Sequence, residues 1–164
     1  MASTEMIDIV DKENNVVGMT DVDTAHNEKL MHRVVGVFVL SSDGDLYLQT
    51  GNKYGKLDLS VGGHVQKGKS YEQAARREML EEIRLDVPLT HVSTFLPKEA
   101  RLNHFWAIFT ATAPVGWVFA ETEEVQSLER ISMEKIKQMM QSEPDLFTHG
   151  FMNTMQELIR IKNI

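Results

Sequence analysis

Apolar residues occur along this chain in short runs or in alternation with polar residues, and both patterns predict β-strands. Residues 6–10 and 16–19 alternate on either side of a polar turn, which predicts an N-terminal hairpin. Residues 33–40 (RVVGVFVL) are apolar almost throughout, as expected of a central strand that is covered on both faces. Similar segments predict strands at residues 46–49, 57–65, 91–96 and 102–112.

Three segments have the residue spacing of a helix instead. The first begins with Ser70 and Gln73, which form the pattern of a capping box, and it carries Glu72 in its first turn. Its apolar stripe, which we expect to pack on the core, consists of Ala75, Met79, Leu80 and Ile83. Two further patterns predict helices at residues 132–140 and 147–161, whereas the polar residues 20–30 are ambiguous.

Together these elements predict an α/β fold. Strand hairpins around one long helix, followed by helices at the end, are typical of a mixed β-sheet covered on both sides. The chain has 164 residues and shows no repeat, linker or low-complexity tract. We therefore expect a single domain that spans residues 1–164.

The first predicted helix carries a group of acidic residues. Glu78, Glu81 and Glu82 stand at positions i, i+3 and i+4, a spacing that places three carboxylates on one helix face. Like charges on one face repel one another unless a cation lies between them. A hard cation such as Mg²⁺ or Mn²⁺ prefers carboxylate oxygens, so the three glutamates are candidate metal ligands.

A glycine-rich loop precedes this helix. Gly62 and Gly63, and the turn at Gly68, leave backbone that a ligand can approach closely. Backbone N–H groups at such a loop suit phosphate oxygens, and a cation at the acidic face would bridge the same oxygens. The loop and the helix together favour a substrate that is rich in phosphate.

Composition excludes several other kinds of site. The formal net charge is −7, so the surface as a whole should not attract nucleic acid, and we expect no duplex partner. The chain contains no cysteine, which excludes disulfides, thiolate nucleophiles and cysteine metal sites. Neither a signal peptide nor a membrane-spanning stretch is visible, so a cytoplasmic monomer or homodimer is the expectation.

Around the acidic helix the chain resembles the Nudix hydrolase family, whose signature is G-x5-E-x7-R-E-U-x-E-E-x-G-U, where U is bulky and apolar. Two positions depart from the signature, because Lys69 stands in place of its first glutamate and Arg84 in place of its second glycine. The positions that match are Gly63, Arg77, Glu78, Met79, Glu81, Glu82 and Leu85. The resemblance implies an α/β/α sandwich.

Outside this signature, over residues 5–160, the chain is similar to the branch of the family that contains isopentenyl-diphosphate isomerase and related hydrolases. The similarity rests on I-D-I-V-D near the N-terminus, an H-x5-H-R stretch and D-L-S-V-G-G-H before the helix. His26, His32 and His64 match the metal-binding histidines of the isomerase in position. Whether they bind a second metal is left open, and we expect His64 to hydrogen-bond locally or to line the pocket.

Two features count against isomerisation, which moves a proton and needs a positioned acid and base. Gly62 occupies the position of the isomerase's cysteine. The isomerase's second acidic motif falls here near Asn103 and His104, where no acid is found.

The resemblance therefore implies a hydrolase that cleaves a phosphoanhydride in a nucleoside di- or triphosphate, or in a nucleoside diphosphate linked to another group. Metal held by Glu78, Glu81 and Glu82 would activate a water molecule. The proton of that water would pass to Glu82, or to Glu123 or Glu124 in a later loop. The alternatives are a nucleotide-binding module without turnover and, less favoured, an isomerase.

The basic residues have separate expected roles. Arg77 is expected to be structural and to orient a glutamate. Lys69 would repel Arg77, so Glu72 is a candidate partner for the arginines of the helix. The candidates for phosphate charge are Arg33, Lys53, Lys56 and Arg101.

Overall fold

The structure is a computed structural model, and it describes residues 5–98 and 103–164. The predicted phosphate ligand Arg101 and the first residue of the strand predicted at 102–112 lie outside this part of the chain. Eight strands of the described residues form one sheet. They are β1 (Met6–Val10), β2 (Val16–Asp21), β3 (His32–Leu40), β4 (Leu46–Thr50), β5 (Val61–His64), β6 (Thr90–Phe95), β7 (His104–Thr112) and β8 (Ser127–Ile131).

Strand β3 is the centre of the sheet. One of its edges pairs in parallel with β7 along its whole length, from His32 opposite His104 to Leu40 opposite Thr112. Its other edge is shared in succession by β1, β5 and β4, all antiparallel. A strand paired on both edges and packed on both faces must be almost wholly apolar, which confirms the interpretation of residues 33–40.

Four helices and a short 3₁₀ turn complete the described structure. They are α1 (Val22–Asn27), α2 (Tyr71–Ile83), α3 (Met133–Ser142), the 3₁₀ turn (Pro144–Leu146) and α4 (His149–Lys162). The residues that were ambiguous in sequence thus contain α1, which Asp21 caps by accepting a hydrogen bond from Thr24 N. No helix in the described part of the chain has the length and hydrophobicity that a membrane-spanning segment needs.

The two faces of the sheet are covered by different helices. On one face, Val35 and Val37 of β3 pack with Ala75 and Met79 of α2. On the other face, Phe38 packs with residues of α3 and α4, including Ile136, Phe151 and Met155. The alternation of residues 37 and 38 between the two clusters follows from the two-residue period of a strand. The arrangement confirms the predicted α/β class and its mixed sheet.

Two details differ from the sequence expectations. Leu80, assigned to the buried stripe of α2, is 44% exposed, because the helix packs through its neighbours Ala75, Met79 and Ile83. Strand β8 was not predicted, because a short strand at the edge of the sheet buries only its last residue and keeps charged side chains outside.

A third difference concerns the strand predicted at residues 57–65, which is regular only in β5. Within its first half, the Ser60 hydroxyl accepts a hydrogen bond from Val39 N and donates to Tyr47 O. This side chain therefore replaces backbone pairing where the chain enters β5, so the regular strand starts only at Val61.

Candidate active site

Helix α2 is fixed at both ends, which determines where its acidic side chains point. At its start, Ser70 Oγ accepts from Gln73 N at 3.1 Å, and Gln73 Oε1 accepts from Ser70 N at 2.9 Å. This is the predicted capping box, and it satisfies two amides that a helix leaves free at its start. At its end, Arg84 takes the left-handed conformation with φ 55°, the position where the signature has glycine.

Three carboxylates converge beside α2. Glu78, Glu81 and Glu124 each offer an oxygen, and these oxygens lie within 4.8 Å of one another. Glu78 is buried, whereas Glu81 and Glu124 are exposed. Glu124, which comes from the loop between β7 and β8, is one of the predicted proton acceptors, whereas Glu123 is exposed and is not part of this group. The acidic cluster, as we call these three residues, has the donor type that Mg²⁺ or Mn²⁺ prefers.

Glu82 lies apart from the acidic cluster. It is 8% exposed, and its Oε2 accepts hydrogen bonds from Gly62 N at 3.2 Å and from Gln49 Nε2 at 3.3 Å. Burial raises its pKa to about 8, and the charge of Glu78 adds to that increase. The helix spacing thus brings Glu82 near the other two glutamates of the signature, but the sheet turns its carboxylate toward the glycine loop.

The buried Glu78 packs directly on Gly63. A Cβ atom at residue 63 would lie only 2.3 Å from Glu78 Cδ, so no other residue type fits there without displacing the carboxylate. Burial raises the pKa of Glu78 to about 7, although the adjacent Arg77 lowers it. The sequence predicts that Gly63 lets a substrate approach the backbone closely. In the structure, the absence of a side chain at Gly63 makes room for Glu78.

Arg77 organises this region. Its Nη2 donates to Glu78 Oε1 at 2.8 Å, to His64 O at 3.2 Å and to Glu5 Oε1 at 3.1 Å, and its Nη1 lies 3.6 Å from Glu81 Oε2. These contacts agree with the expected orienting role. The long-range acidic partner is Glu5 and not Glu72, a correction that helix spacing could not supply because Glu5 precedes the first strand.

The loop that carries Glu124 is tied to the end of α2. Thr122 Oγ1 donates to the backbone oxygen of Glu82 at 2.6 Å and accepts from Val125 N at 3.1 Å. The nearby Arg76 pairs with Asp86 at 3.5 Å instead of joining the site. Thr122 thus helps to hold Glu124 beside the helix, together with Val125, which is buried in the core.

Two predicted phosphate ligands have other contacts. Arg33 donates through Nε to Asn14 Oδ1 at 2.8 Å and through Nη2 to Asn14 O at 2.6 Å, and it lies 5.4 Å from the centre of the Tyr71 ring. Lys53 Nζ lies 5.0 Å from the centre of the Tyr54 ring. Their assignment to substrate stays a prediction, and the contacts of Arg33 already join the N-terminal hairpin to α2.

The histidines of the sequence motifs also come together. His26, His32, His64 and His104 each offer a ring nitrogen, and these nitrogens lie within 4.8 Å of one another. We call this group the histidine cluster. Three members match the isomerase histidines in position, whereas His104 lies where the isomerase has its second acidic motif.

The chain matches the model of a known domain family. The model of the NUDIX domain matches residues 30–150 of the chain, which include α2, the glycine loop and the loop of Glu124. A Deinococcus radiodurans protein named Nudix hydrolase is 32% identical over 126 residues, which cover 71% of this chain and 73% of that protein. Isopentenyl-diphosphate Delta-isomerase 2 of Photorhabdus laumondii is 28% identical over 156 residues, which cover 90% of this chain and 88% of that protein.

A solved structure gives the same result for the fold. The crystal structure of DR0079 from Deinococcus radiodurans superposes with a TM-score of 0.71 and 26% sequence identity, over 85% of this chain and 90% of that one. The matched domain, the named relatives and the shared fold confirm the resemblance seen in the sequence. The chain belongs to the Nudix hydrolase family.

Proposed function

We propose that this protein is a metal-dependent hydrolase that cleaves a phosphoanhydride bond in a nucleotide-type substrate. The observation that carries the proposal is the acidic cluster, in which carboxylate oxygens of Glu78, Glu81 and Glu124 lie within 4.8 Å of one another. Arg77 contacts Glu78 at 2.8 Å and Glu81 at 3.6 Å, and a cation among the three carboxylates would offset their remaining repulsion. Beside it stands the buried Glu82, held by two hydrogen bonds.

The donor set fits Mg²⁺ or Mn²⁺, which bind carboxylate oxygens and water. Glu78, Glu81 and Glu124 would hold the ion, and Glu82 is a further candidate ligand from the family signature. When bound, such an ion neutralises phosphate oxygens and lowers the pKa of water. The fit rests on oxygen donors from two separate elements, α2 and the loop after β7.

The chain's own groups then have distinct tasks. A water molecule attacks phosphorus, the bond to the bridging oxygen breaks, and the departing phosphate keeps that oxygen. Glu82 is the proposed acceptor of the proton of the water, because its carboxylate is held in place by Gly62 N and Gln49 Nε2 next to the other two glutamates of the signature. Glu124 is the alternative acceptor, since it is exposed to solvent and already adjoins Glu78 and Glu81. Arg77 keeps Glu78 oriented through the 2.8 Å contact.

The glycine loop also supports the carboxylates of the site. Gly62 N is already engaged by Glu82, and Gly63 is needed to accommodate Glu78. We assign Gly62 and Gly63 to the support of the carboxylates. His64 follows the two glycines, and its backbone oxygen accepts a hydrogen bond from Arg77.

Support for a nucleotide substrate comes from a protein of the same fold. The NUDIX domain of Shewanella oneidensis NrtR was crystallised with ADP-ribose, and it superposes with a TM-score of 0.60 at 15% identity over 82% of this chain and 89% of that one. That ligand contains the phosphoanhydride that the proposed reaction requires.

Isomerisation of isopentenyl diphosphate is the second candidate, favoured by the similarity to a named isomerase. Against it, Gly62 stands where the isomerase has its cysteine, and His104 stands where it has its second acidic motif. Neither residue replaces the thiol or the carboxyl group as a proton donor of the same kind. Hydrolysis needs only acids that are present.

The test is a screen of the purified protein with Mg²⁺ against nucleoside di- and triphosphates and nucleoside diphosphate conjugates, measured by release of phosphate or nucleotide. We expect turnover of at least one compound, and we expect Glu82→Gln to lower kcat by about 10²–10⁴-fold while the protein still folds. Isopentenyl diphosphate should be left unrearranged. Its conversion to dimethylallyl diphosphate would support the isomerase, and tight nucleotide binding without turnover would support a binding module.

A further inference from the structure

The histidine cluster lies outside the proposed hydrolytic machinery, and four separate elements build it. His26 is in α1, His32 begins β3, His64 ends β5 and His104 begins β7. The sheet register brings them together, because His32 pairs with His104 and the neighbouring Val34 pairs with His64. No local sequence pattern requires this convergence, so the packing of four imidazoles calls for a physical reason.

Two of the four rings have buried nitrogens without a partner among the described residues. His32 Nδ1 lies 2.8 Å from Leu30 O, and a carbonyl oxygen only accepts, so Nδ1 carries the hydrogen. In the neutral ring this leaves a lone pair on His32 Nε2, which is buried and unpaired, in a side chain that is 1% exposed. His104 Nε2 is also buried and unpaired. Buried polar atoms without partners are rare, and two in one cluster point to a site that binds a further group.

The other two rings also bring their nitrogens close together. His26 Nε2 and His64 Nε2 lie 3.2 Å apart, so a hydrogen or a cation must lie between them. A metal cation between the four rings would accept a lone pair from one nitrogen of each.

The distances suit a four-coordinate ion. Bonds of about 2.0–2.1 Å from Zn²⁺ to imidazole nitrogen place the nitrogens of a tetrahedral site about 3.3 Å apart. The pair formed by His26 and His64 already has this spacing, and all four nitrogens lie within 4.8 Å. Small rotations of the rings would close the site.

We propose that His26, His32, His64 and His104 bind one transition-metal ion of the zinc type, at a site separate from the acidic cluster. A set of four nitrogen donors favours Zn²⁺ and its transition-metal neighbours, whereas Mg²⁺ requires oxygen. The isomerase resemblance implied histidines accompanied by acids. Here a fourth imidazole, His104, completes the set, which changes the class of metal that the site selects.

A site with four protein ligands has no position left for substrate and is typical of a structural ion. Its expected role is to hold α1, β3, β5 and β7 together at one end of the sheet. It also supports the hydrolytic site indirectly, because the backbone oxygen of His64 binds Arg77, which orients Glu78. Removal of the ion should therefore lower thermal stability whether or not a substrate is known.

The experiment is a titration of metal-free protein with Zn²⁺, and with Co²⁺ as a spectroscopic probe, in the presence of excess Mg²⁺. We expect one equivalent of Zn²⁺ to bind and to raise Tm, and we expect Co²⁺ to show the visible absorption of a tetrahedral site. His104→Asn should weaken Zn²⁺ binding by at least about 100-fold, since even the loss of an outer partner of a ligand costs about 10–100-fold. His91→Asn is the matched control, because His91 is exposed and hydrogen-bonds to Thr94 outside the cluster.

The two metal sites are separated by a second variant. Glu81→Gln should leave Zn²⁺ affinity unchanged, since Glu81 belongs to the acidic cluster. The proposal is overturned if wild-type protein binds neither ion under excess Mg²⁺, if His104→Asn binds Zn²⁺ as tightly as wild type, or if Glu81→Gln abolishes binding. If His104→Asn fails to fold, X-ray absorption of Zn²⁺-loaded wild-type protein decides: four nitrogen ligands support the proposal, and a shell of oxygen ligands refutes it.

Discussion

Replacement of Gly63 by alanine tests how the acidic cluster is held. The new Cβ atom would lie 2.3 Å from Glu78 Cδ and 2.4 Å from its Oε1, whereas ordinary contact begins at 3.4 Å. The carboxylate must therefore retreat by about 1 Å, the difference between overlap and van der Waals contact. It has little room to do so, because Glu78 is buried and bound to Arg77 at 2.8 Å.

The expected magnitude follows from that displacement. A misplacement of about 1 Å in a catalytic site costs about 100-fold in rate, so kcat should fall by about that factor. Overpacking should also lower the free energy of unfolding by about 1–3 kcal/mol. The assays are hydrolysis of the best substrate from the nucleotide screen and thermal unfolding with and without Mg²⁺.

Two glycine variants separate this effect from the general cost of alanine in a strand. At Gly18 nothing lies within 4 Å of an added Cβ, and at Gly62 the nearest atom is Val35 O at 3.6 Å. Both variants should unfold near the wild-type temperature and keep the Mg²⁺-induced increase in Tm. If Gly63→Ala keeps the wild-type kcat and the same increase, the reasoning that links Gly63 to Glu78 is refuted.

Three further predictions concern stability. Burial raises the pKa of Glu78 to about 7 and of Glu82 to about 8, above the ordinary value of 4.5. The unfolded chain therefore loses these protons first. The buried His64 and His104 act in the opposite direction below about pH 6.5, because burial lowers their pKa values to about 4 and about 3. The Tm of metal-free protein should therefore fall as the pH rises from about 6.5 to 8, and Mg²⁺ should raise Tm more at pH 8 than at pH 6; an increase that shrinks with pH would contradict this. Arg84→Gly should raise the free energy of unfolding, measured in urea, by about 0.5–1 kcal/mol. A non-glycine residue in the left-handed conformation costs about 1–2 kcal/mol, and the greater backbone entropy of glycine in the unfolded chain cancels part of that gain. A decrease in the free energy of unfolding would contradict this prediction. Glu5→Gln should lower the free energy of unfolding by about 1 kcal/mol, because Glu5 pairs with Arg77. Lys69→Glu should change the free energy of unfolding by less than about 0.5 kcal/mol and leave kcat within a few-fold of wild type. A larger effect for Lys69→Glu than for Glu5→Gln would show that Lys69 makes the more important contact.

The features that the sequence determined by itself are those that depend on the spacing of neighbouring residues. The capping box of Ser70 and Gln73 and the i, i+3, i+4 order of the glutamates specify a helix with one acidic face, since both are properties of a single helical turn. The continuous apolar run of β3 likewise identifies the central strand, because only a strand covered on both faces remains free of polar residues. These two elements carry the fold class and the family.

The tertiary structure decided which side chains meet across the sheet. Glu5 reaches Arg77 from before β1, Thr122 holds the loop that delivers Glu124 to the acidic cluster, and Glu82 turns toward Gly62. Strand pairing across 72 residues of sequence then sets His104 beside His32. Such contacts depend on register and on which strand edge is occupied, and the spacing of neighbouring residues carries no information about either.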